Sequence, residues 1–230
     1  MIILIGNGPS NKQFQGMLDD CTIIGCNKGF CDWPVTHLFV RDKTAFLHLD
    51  EKYRDELPDS CWVPAKYLAE TKTYGFSDKW KPMERPTPPN AGACAILLAS
   101  RLYPGEDLYC IGYDSIMAPQ GNANITLYEY PFRSSNIIKE STSISHRKQV
   151  RQAVADVQDL NTVTFVSDTP FKRLWKYEDW DLQTIPSEDF IKLVKGEPSC
   201  NQNADTKEET LNIGGVESEN IHNPEEEKSS

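Results

Sequence analysis

A glycine-rich turn directly follows the first apolar run of the chain, and its composition suits a ligand site. The turn reads Gly6-Asn7-Gly8-Pro9-Ser10. Glycines let the backbone approach a ligand closely, and Ser10 is predicted to cap a helix whose free N–H groups face an anion. The segment matches neither the dinucleotide fingerprint nor the phosphate-binding loop. The sequence therefore predicts a nucleotide site of an unusual kind, with an ordinary strand-to-helix turn as the alternative.

Polar side chains stand at the predicted ends of four strands: Asn7, Asn27, Asp42 and Asp114. The carboxyl ends of parallel strands meet along one rim of a sheet, so these side chains are expected to share a crevice. An amide both donates and accepts hydrogen bonds, which suits a neutral sugar or base. A local turn or a helix cap is the alternative for each of the four residues.

His146 is the ionisable group that best suits proton transfer. It stands between a long polar loop and a predicted helix over residues 148–160. The field at a helix entrance favours the neutral imidazole, and a neutral imidazole can take a proton from an incoming hydroxyl. A structural histidine that merely caps the helix is the alternative.

The seven cysteines do not have the spacing of a metal site or a redox pair. The chain contains no C-x-x-C, and His37 and His48 do not complete a finger-type pattern. Cys94 and Cys110 lie in apolar runs and are predicted to be small buried side chains. We therefore expect no metal site.

Short apolar runs alternate with helical patterns, which predicts an α/β fold with a Rossmann-like, mainly parallel sheet flanked by helices. The predicted strands cover residues 2–5, 21–26, 36–40, 61–63, 108–112 and 163–166, and the predicted helices cover residues 10–18, 45–57, 90–100 and 148–160. The helix over residues 90–100 has small residues in its first turn and larger apolar ones after it, as expected for a helix pressed against a sheet.

Two loops and a tail complete the predicted organisation. Residues 66–89 are predicted to be an irregular, aromatic-bearing loop, either a surface connection or a substrate-facing segment. Residues 115–145 are rich in Asn, Gly, Pro and Ser and include Tyr128 and Tyr130. This composition predicts a lid-like loop region that covers a site. We expect one nucleotide-binding domain over residues 1–195 and an acidic, disordered tail over residues 196–230.

The net charge of −10 argues against a nucleic-acid-binding surface. Nine acidic and two basic residues lie from Glu197 onward, so the body of the protein is only mildly acidic. Arg147, Lys148 and Arg151 form a local basic cluster that this balance permits. The sequence shows neither a membrane-spanning run nor a signal peptide, which predicts a cytoplasmic protein.

Five motifs together resemble the small bacterial sialyltransferases of glycosyltransferase family 42. The order and approximate spacing agree over residues 1 to about 166. The first motif and the glycine-x-aspartate also occur in a wider set of proteins that includes pterin pyrophosphokinase-like ones. The motifs are Gly6-Asn7-Gly8-Pro9-Ser10, Cys26-Asn27, Asn90-Ala91-Gly92, Gly112-Tyr113-Asp114 and Ser145-His146-Arg147-Lys148.

The resemblance implies a Rossmann-like domain with a lid, a CMP-sugar donor and no separate cofactor. Transfer to a glycan or other hydroxyl acceptor would be inverting and metal-independent, with His146 as the general base. Asn7 and Asn27 would contact the nucleotide and its sugar, and lid tyrosines, here Tyr128 and Tyr130, would stabilise the departing phosphate. The remaining positions predicted to bind the donor are Gly6, Gly8, Pro9, Ser10, Asp42, Ala91, Gly92, Gly112, Tyr113 and Asp114.

This chain departs from the family where the third strand ends. The family has an asparagine there that helps to hold the donor, whereas this chain has Arg41-Asp42. A donor sugar other than sialic acid is therefore compatible with the pattern. The lid sequence is also dissimilar, which leaves the acceptor open.

Three other functions remain open at this point. In the first alternative, the enzyme transfers the sugar to a modified base in DNA. The acidic net charge disfavours this acceptor. A second is an ATP-dependent pyrophosphokinase-like enzyme, in which Asp42 and Asp114 hold magnesium. A third is a nucleotide-binding module without catalysis. Related proteins associate into homo-oligomers, but no feature of this sequence fixes an interface.

Overall fold

The apolar runs form parallel strands of one sheet, as the sequence predicts. The computed structural model of the protein describes residues 1–70, 75–84, 88–117, 140–171 and 180–197. Within these residues the sheet has eight strands. They are β1 (Ile2–Ile5), β2 (Thr22–Cys26), β3 (His37–Phe39), β4 (Cys61–Pro64), β5 (Trp80–Met83), β6 (Leu108–Ile111), β7 (Val163–Val166) and β8 (Thr184–Ile185).

The strand order defines a Rossmann-like α/β fold. The order across the sheet is β5-β4-β3-β2-β1-β6-β7-β8, and neighbouring strands pair in parallel throughout. The chain builds outward from β1 to β5 and then returns to place β6 on the other side of β1. This reversal creates a crevice at the carboxyl ends of β1 and β6, where open α/β sheets bind ligands.

Six α-helices accompany the sheet in the described residues. They are α1 (Lys43–Lys52), α2 (Ala65–Glu70), α3 (Ala91–Leu102), α4 (Asp114–Met117), α5 (Glu140–Val157) and α6 (Ser187–Val194). Asn90 caps α3 by accepting a hydrogen bond from the Ala93 N–H, as the predicted helix entry requires.

Alternating side chains of β1 enter two different cores. Ile2 and Leu4 pack in the cluster that contains the apolar face of α3, whereas Ile3 and Ile5 pack with Phe14 and the α6 residues. All four β1 side chains are buried because helical layers cover both faces of the sheet. A strand buried on both faces reads as a continuous apolar run, which is why β1 is visible in the sequence.

The turns that follow β1 and β6 lie in close contact. The Gly8 N–H donates to the Gly112 carbonyl oxygen at 2.9 Å, and the buried Asn11 side chain donates to the Gly6 carbonyl oxygen at 2.8 Å. A Cβ atom on Gly6 would lie 2.4 Å from the Gly112 oxygen. Gly112 itself has a φ of +71°, which glycine adopts without strain. The close backbone contact between the two turns thus explains why glycine occupies these positions.

The predicted helix over residues 10–18 is confirmed only in its first part and is wrong for residues 15–18. The structure has a 3₁₀ helix over Pro9–Phe14, and no side chain caps its start. The Ser10 hydroxyl instead donates a short hydrogen bond to Asp114 Oδ1, and the Ser10 N–H donates to Asp114 Oδ2 at 2.9 Å. A partner 104 positions away therefore takes the hydroxyl that local sequence assigns to a cap.

The predicted loop over residues 66–89 contains both α2 and β5, so that prediction is wrong for those residues. The buried carboxylate of Asp50 in α1 holds the entry to β5, because it accepts from the Trp80 indole N–H at 2.7 Å and from the Ser77 N–H at 3.1 Å. The proline in the Trp-Lys-Pro-Met segment argues against a strand in the sequence. An edge strand tolerates it because one side of its backbone needs no ladder partner.

The helix before β7 begins earlier than predicted, at Glu140 rather than residue 148, so the predicted loop over residues 115–145 is wrong at both ends. The buried side chain of Arg147 ties α5 to α4, since it donates to the carbonyl oxygens of Ile116 and Met117 at 2.8 and 2.9 Å. Arg147 is therefore a buried anchor and not part of a surface basic cluster. Residues 118–139 lie outside the described residues.

Several other boundaries also differ from the predictions. The helix predicted over residues 45–57 begins two residues earlier, at Lys43, because Asp42 caps it there. It ends at Lys52. The predicted last strand, β7, is followed by β8 and α6. The predicted tail lies, from residue 198 onward, outside the described residues.

Replacing Gly6 by alanine tests the close contact of the two turns. Because the added Cβ would overlap the Gly112 carbonyl oxygen, we expect Gly6→Ala to lower the free energy of unfolding by about 1–3 kcal/mol. Gly29→Ala is the matched control, since a Cβ there has no neighbour within 4 Å. We expect that control to be neutral or about 0.5–1 kcal/mol stabilising. Equal effects in urea titrations of the two variants would contradict the contact.

Candidate functional site

A cavity of about 560 Å³ opens at the carboxyl edge of the sheet. Its wall is built from the turns after β1, β2, β3 and β6, from the start of α3 and from one side of α5. The predicted site residues that line it are Gly6, Asn7, Gly8, Asn27, Asp42, Ala91, Gly92, Gly112, Tyr113 and His146. The first turn of the chain and the late imidazole therefore meet in one cavity.

Three predicted site residues, Pro9, Ser10 and Asp114, are not among those that line this cavity. Ser10 and Asp114 are bonded to each other beside it. Tyr128 and Tyr130 lie outside the described residues.

The two asparagines offer hydrogen-bonding groups to a ligand. The Oδ1 atom of Asn7 is buried and has no hydrogen-bond partner in the described part of the chain. Asn27 occupies the left-handed region with a φ of +53°, which asparagine tolerates better than most residues. Its Oδ1 accepts from the Arg41 N–H at 3.4 Å, so its amide nitrogen remains as a donor. The pair therefore retains an unsatisfied acceptor, the enclosed Asn7 Oδ1, and amide N–H donors.

The expected anion cradle at the first turn is wrong. The N–H groups of Gly8 and Ser10 already donate to the Gly112 carbonyl and to the Asp114 carboxylate. A ligand anion at the first turn would have to displace these bonds. The close glycines serve the contact with the β6 turn, and the ligand's donors must come from elsewhere in the cavity.

The start of α3 supplies free donors. Ala91 and Gly92 occupy the first two helical positions and line the cavity, and neither N–H has an acceptor among the residues that the structure describes. The Tyr113 hydroxyl donates to the Gly92 carbonyl oxygen at 3.1 Å and fixes this turn. The first N–H groups of a helix favour an anion or a polar ligand.

His146 is not at a helix entrance, and that prediction is wrong. It is the seventh residue of α5, whereas the field of a helix terminus acts over the first turn. Val150, one turn later, lines the same cavity, and the buried Arg147 holds this part of α5 beside α4. The imidazole is thus positioned by helix packing.

Asp42 has a structural task that the sequence leaves as an alternative. Its Oδ1 accepts from the Ala45 N–H at 3.0 Å and so caps α1. Asp42 and Asp114 do not form a pair of carboxylates in the cavity, since only Asp42 lines it. No group of three or more potential metal ligands occurs among the described residues.

Arg41 and Tyr67 line the cavity but are absent from the predicted site residues. The Arg41 guanidinium donates to the Tyr67 hydroxyl at 2.6 Å and to the Pro88 carbonyl oxygen at 2.7 Å. Tyr67 could not be found because its helix lies in a segment predicted to be a loop. Arg41 could have been predicted as a site residue, because it is a basic residue directly after β3.

Cys26 also lines the cavity, but its chemistry excludes a nucleophilic role at neutral pH. Burial raises the pKa of this thiol to about 12. Only the thiolate is a good nucleophile, and almost none is present near pH 7. Cys94 and Cys110 are buried as predicted, and both pKa values are raised by the same cause.

Comparisons with known proteins do not assign this chain to a family. No protein-family model matches it, and no curated protein matches it. Among solved structures, the NAD complex of dTDP-glucose 4,6-dehydratase from Bacillus anthracis str. Ames aligns with 15% identity and a TM-score of 0.26. The alignment covers 73% of this chain and 55% of that one. A likeness this weak carries no argument about activity.

The described helices include none that is both long and apolar enough to cross a membrane.

The bond between Asp114 and Ser10 generates a pH-dependent prediction. Burial raises the pKa of the Asp114 carboxyl, although the bonds from Ser10 act in the opposite direction. A raised pKa in the folded state gives stability that is complete below the unfolded pKa of about 3.9 and is lost as the pH rises through the folded value. Asp114→Asn cannot ionise, yet it can accept from the Ser10 N–H and donate to its hydroxyl. We therefore expect wild-type stability to fall relative to this variant as the pH rises above about 4.

Urea titrations at several pH values measure this difference directly. Asp114→Ala is the comparison variant, because it leaves the Ser10 N–H without its acceptor and should cost about 1–3 kcal/mol across the range. A constant difference between wild type and Asp114→Asn over that range would show that the carboxyl does not titrate as expected.

Proposed function

We propose that the protein is a glycosyltransferase that moves a sugar from a nucleotide donor, CMP-linked by the resemblance, to an acceptor hydroxyl. One observation carries the proposal: His146 lines the same cavity as the turn after β1 and the start of α3. A base, amide groups suited to a neutral base or sugar, and free backbone donors suited to a phosphate are thereby brought together. This is the set of groups that glycosyl transfer from a nucleotide requires.

The binding groups divide by chemistry. Asn7 and Asn27 provide an acceptor and a donor for the uncharged parts of the donor substrate. The N–H groups of Ala91 and Gly92 would bind the phosphate, because the start of α3 favours negative charge. Tyr113 holds this turn in place, since its hydroxyl donates to the Gly92 carbonyl oxygen.

The reaction follows from these positions. The acceptor hydroxyl gives its proton to an imidazole nitrogen of His146, and its oxygen forms a bond to the anomeric carbon. The bond between that carbon and the phosphate oxygen breaks, and the nucleotide leaves with the electron pair as an anion. The free N–H groups of α3 stabilise the negative charge that develops on the leaving phosphate. Attack opposite the leaving group inverts the anomeric configuration.

His146→Ala tests the assignment of the base. A positioned general base contributes about 10²–10⁴-fold to rate, so we expect turnover with a CMP-sugar donor to fall at least a hundredfold. Donor affinity should change little, because the binding groups remain. His48→Ala is the matched control, since His48 lies on α1 and does not line the cavity. Turnover in His146→Ala equal to that of the control would overturn the assignment.

Nucleotide preference tests the donor class and separates the alternatives. A ligand that binds the folded state raises its stability by about 2.7 kcal/mol at a hundredfold excess over Kd, or roughly 5–10 °C in Tm for a domain of this size. We expect CMP to raise Tm more than UDP, GDP or ATP at equal concentration. A preference for ATP, with activity abolished by a chelator, would favour the pyrophosphokinase-like reaction instead.

Product analysis decides between glycosyl transfer and the remaining alternatives. Binding of CMP without product from any CMP-sugar and hydroxyl acceptor would indicate a module without catalysis. Transfer to duplex DNA carrying hydroxymethylated bases, with no transfer to glycans, would identify the base as the acceptor.

A further inference from the structure

We propose that Arg41 anchors an anionic group of the substrate, a phosphate or a carboxylate, and that Tyr67 positions it for this task. The inference rests on the proposed function and adds a specificity-determining residue to the same cavity. It is carried by three observations: how the guanidinium is held, which charges surround it, and where it enters the cavity.

The guanidinium of Arg41 is held in a fixed orientation. Its Nε donates to the Pro88 carbonyl oxygen at 2.7 Å and its Nη1 donates to the Tyr67 hydroxyl at 2.6 Å. The Tyr67 hydroxyl in turn donates to the Arg41 carbonyl oxygen at 2.9 Å, so the tyrosine grips both the backbone and the side chain of the same residue. Tyr67 is itself buried. A long, flexible side chain is thereby ordered before a ligand arrives.

Both acceptors of the Arg41 side chain are neutral oxygens. In the described part of the chain this partly buried cation has no carboxylate partner. The neighbouring charges are committed elsewhere: Lys43 pairs with Glu70 at 2.7 Å, and Asp42 caps α1. A partly buried charge is normally paired, and a planar guanidinium matches the two oxygens of a carboxylate or phosphate. The missing anion is expected from the ligand.

Arg41 and His146 enter the cavity from different sides. Arg41 follows β3, which is separated from β1 by β2 and so lies about 10 Å from it at the usual strand spacing. His146 is on α5, which Arg147 ties to the segment that directly follows β6, on the opposite side of β1. An anion on Arg41 therefore marks the end of the ligand that lies away from β6.

Paired ligands that differ in one charge isolate the contribution of Arg41. The full-length protein is titrated calorimetrically with CMP and cytidine, and with sialic acid and its methyl ester. In the wild type we expect the charged member of at least one pair to bind about 10- to 100-fold more tightly, as charge-assisted hydrogen bonds produce. In Arg41→Gln that ratio should fall about tenfold, to the part that the N–H groups of α3 supply for a phosphate, whereas the uncharged member should bind as before.

Two further variants separate positioning from charge and from folding. Tyr67→Phe keeps the ring and the arginine charge but removes the hydroxyl, so the ratio should fall severalfold while the uncharged ligand binds normally. A purely structural tyrosine would weaken both members of the pair equally. Arg101→Gln, on α3 and away from the cavity lining, removes an equal charge and should leave both ratios unchanged.

Each outcome has a defined meaning. Collapse of the CMP ratio identifies a phosphate, and collapse of the sialic acid ratio identifies a carboxylate; either supports the anchor. Ratios in Arg41→Gln equal to those of the wild type overturn it, even if glycosyl transfer is intact. Conversely, normal turnover in His146→Ala would remove the proposed base while a collapsed ratio in Arg41→Gln still stands.

Discussion

The contact between the turns after β1 and β6 is the constraint on which the remaining site geometry depends. Two strands that are far apart in sequence lie side by side, and their turns come so close that a Cβ on Gly6 would overlap the Gly112 carbonyl oxygen. Ser10 and Asp114 then join the turns with two hydrogen bonds. The turns after β1 and β6 are therefore joined into one unit that comes from both sides of the topological reversal.

This constraint decides which groups are left for a ligand. N–H groups of the turn after β1 donate to Gly112 and Asp114 and are therefore not free to bind an anion. This turn contributes the Asn7 side chain to the cavity instead. Free N–H groups occur instead at the start of α3, and the imidazole comes from α5. The lining elements thus have different roles: the turns after β1 and β6 hold the strands together, whereas Arg41 after β3 and His146 on α5 bring basic groups to the cavity.

The parts of the fold that local chemistry determines were predictable. Buried parallel strands read as apolar runs, and Asn90 marks the start of α3 because a cap is a local interaction. Prediction failed where a distant partner decides the structure. Asp114 takes Ser10 from its expected cap, Asp50 fixes the entry to β5, and the Arg147 bonds to residues 116 and 117 hold α5 beside α4. In each case the two partners are more than thirteen residues apart in the sequence, so no local sequence pattern indicates them.

The same distinction explains what could be predicted of the site. Topology alone brings Asn7 and Asn27 to one rim, because residues that end parallel strands share an edge wherever they lie in sequence. A side chain on a wall has no such guarantee. Arg41 acquires its orientation from Tyr67, 26 positions later, and the net charge of −10 gives no sign that an arginine lines the cavity. Overall charge therefore says little about the ligand of this protein, and the local pairing of each charge says more. The proposal of an anionic ligand rests on Arg41, a lining cation whose described partners are all neutral.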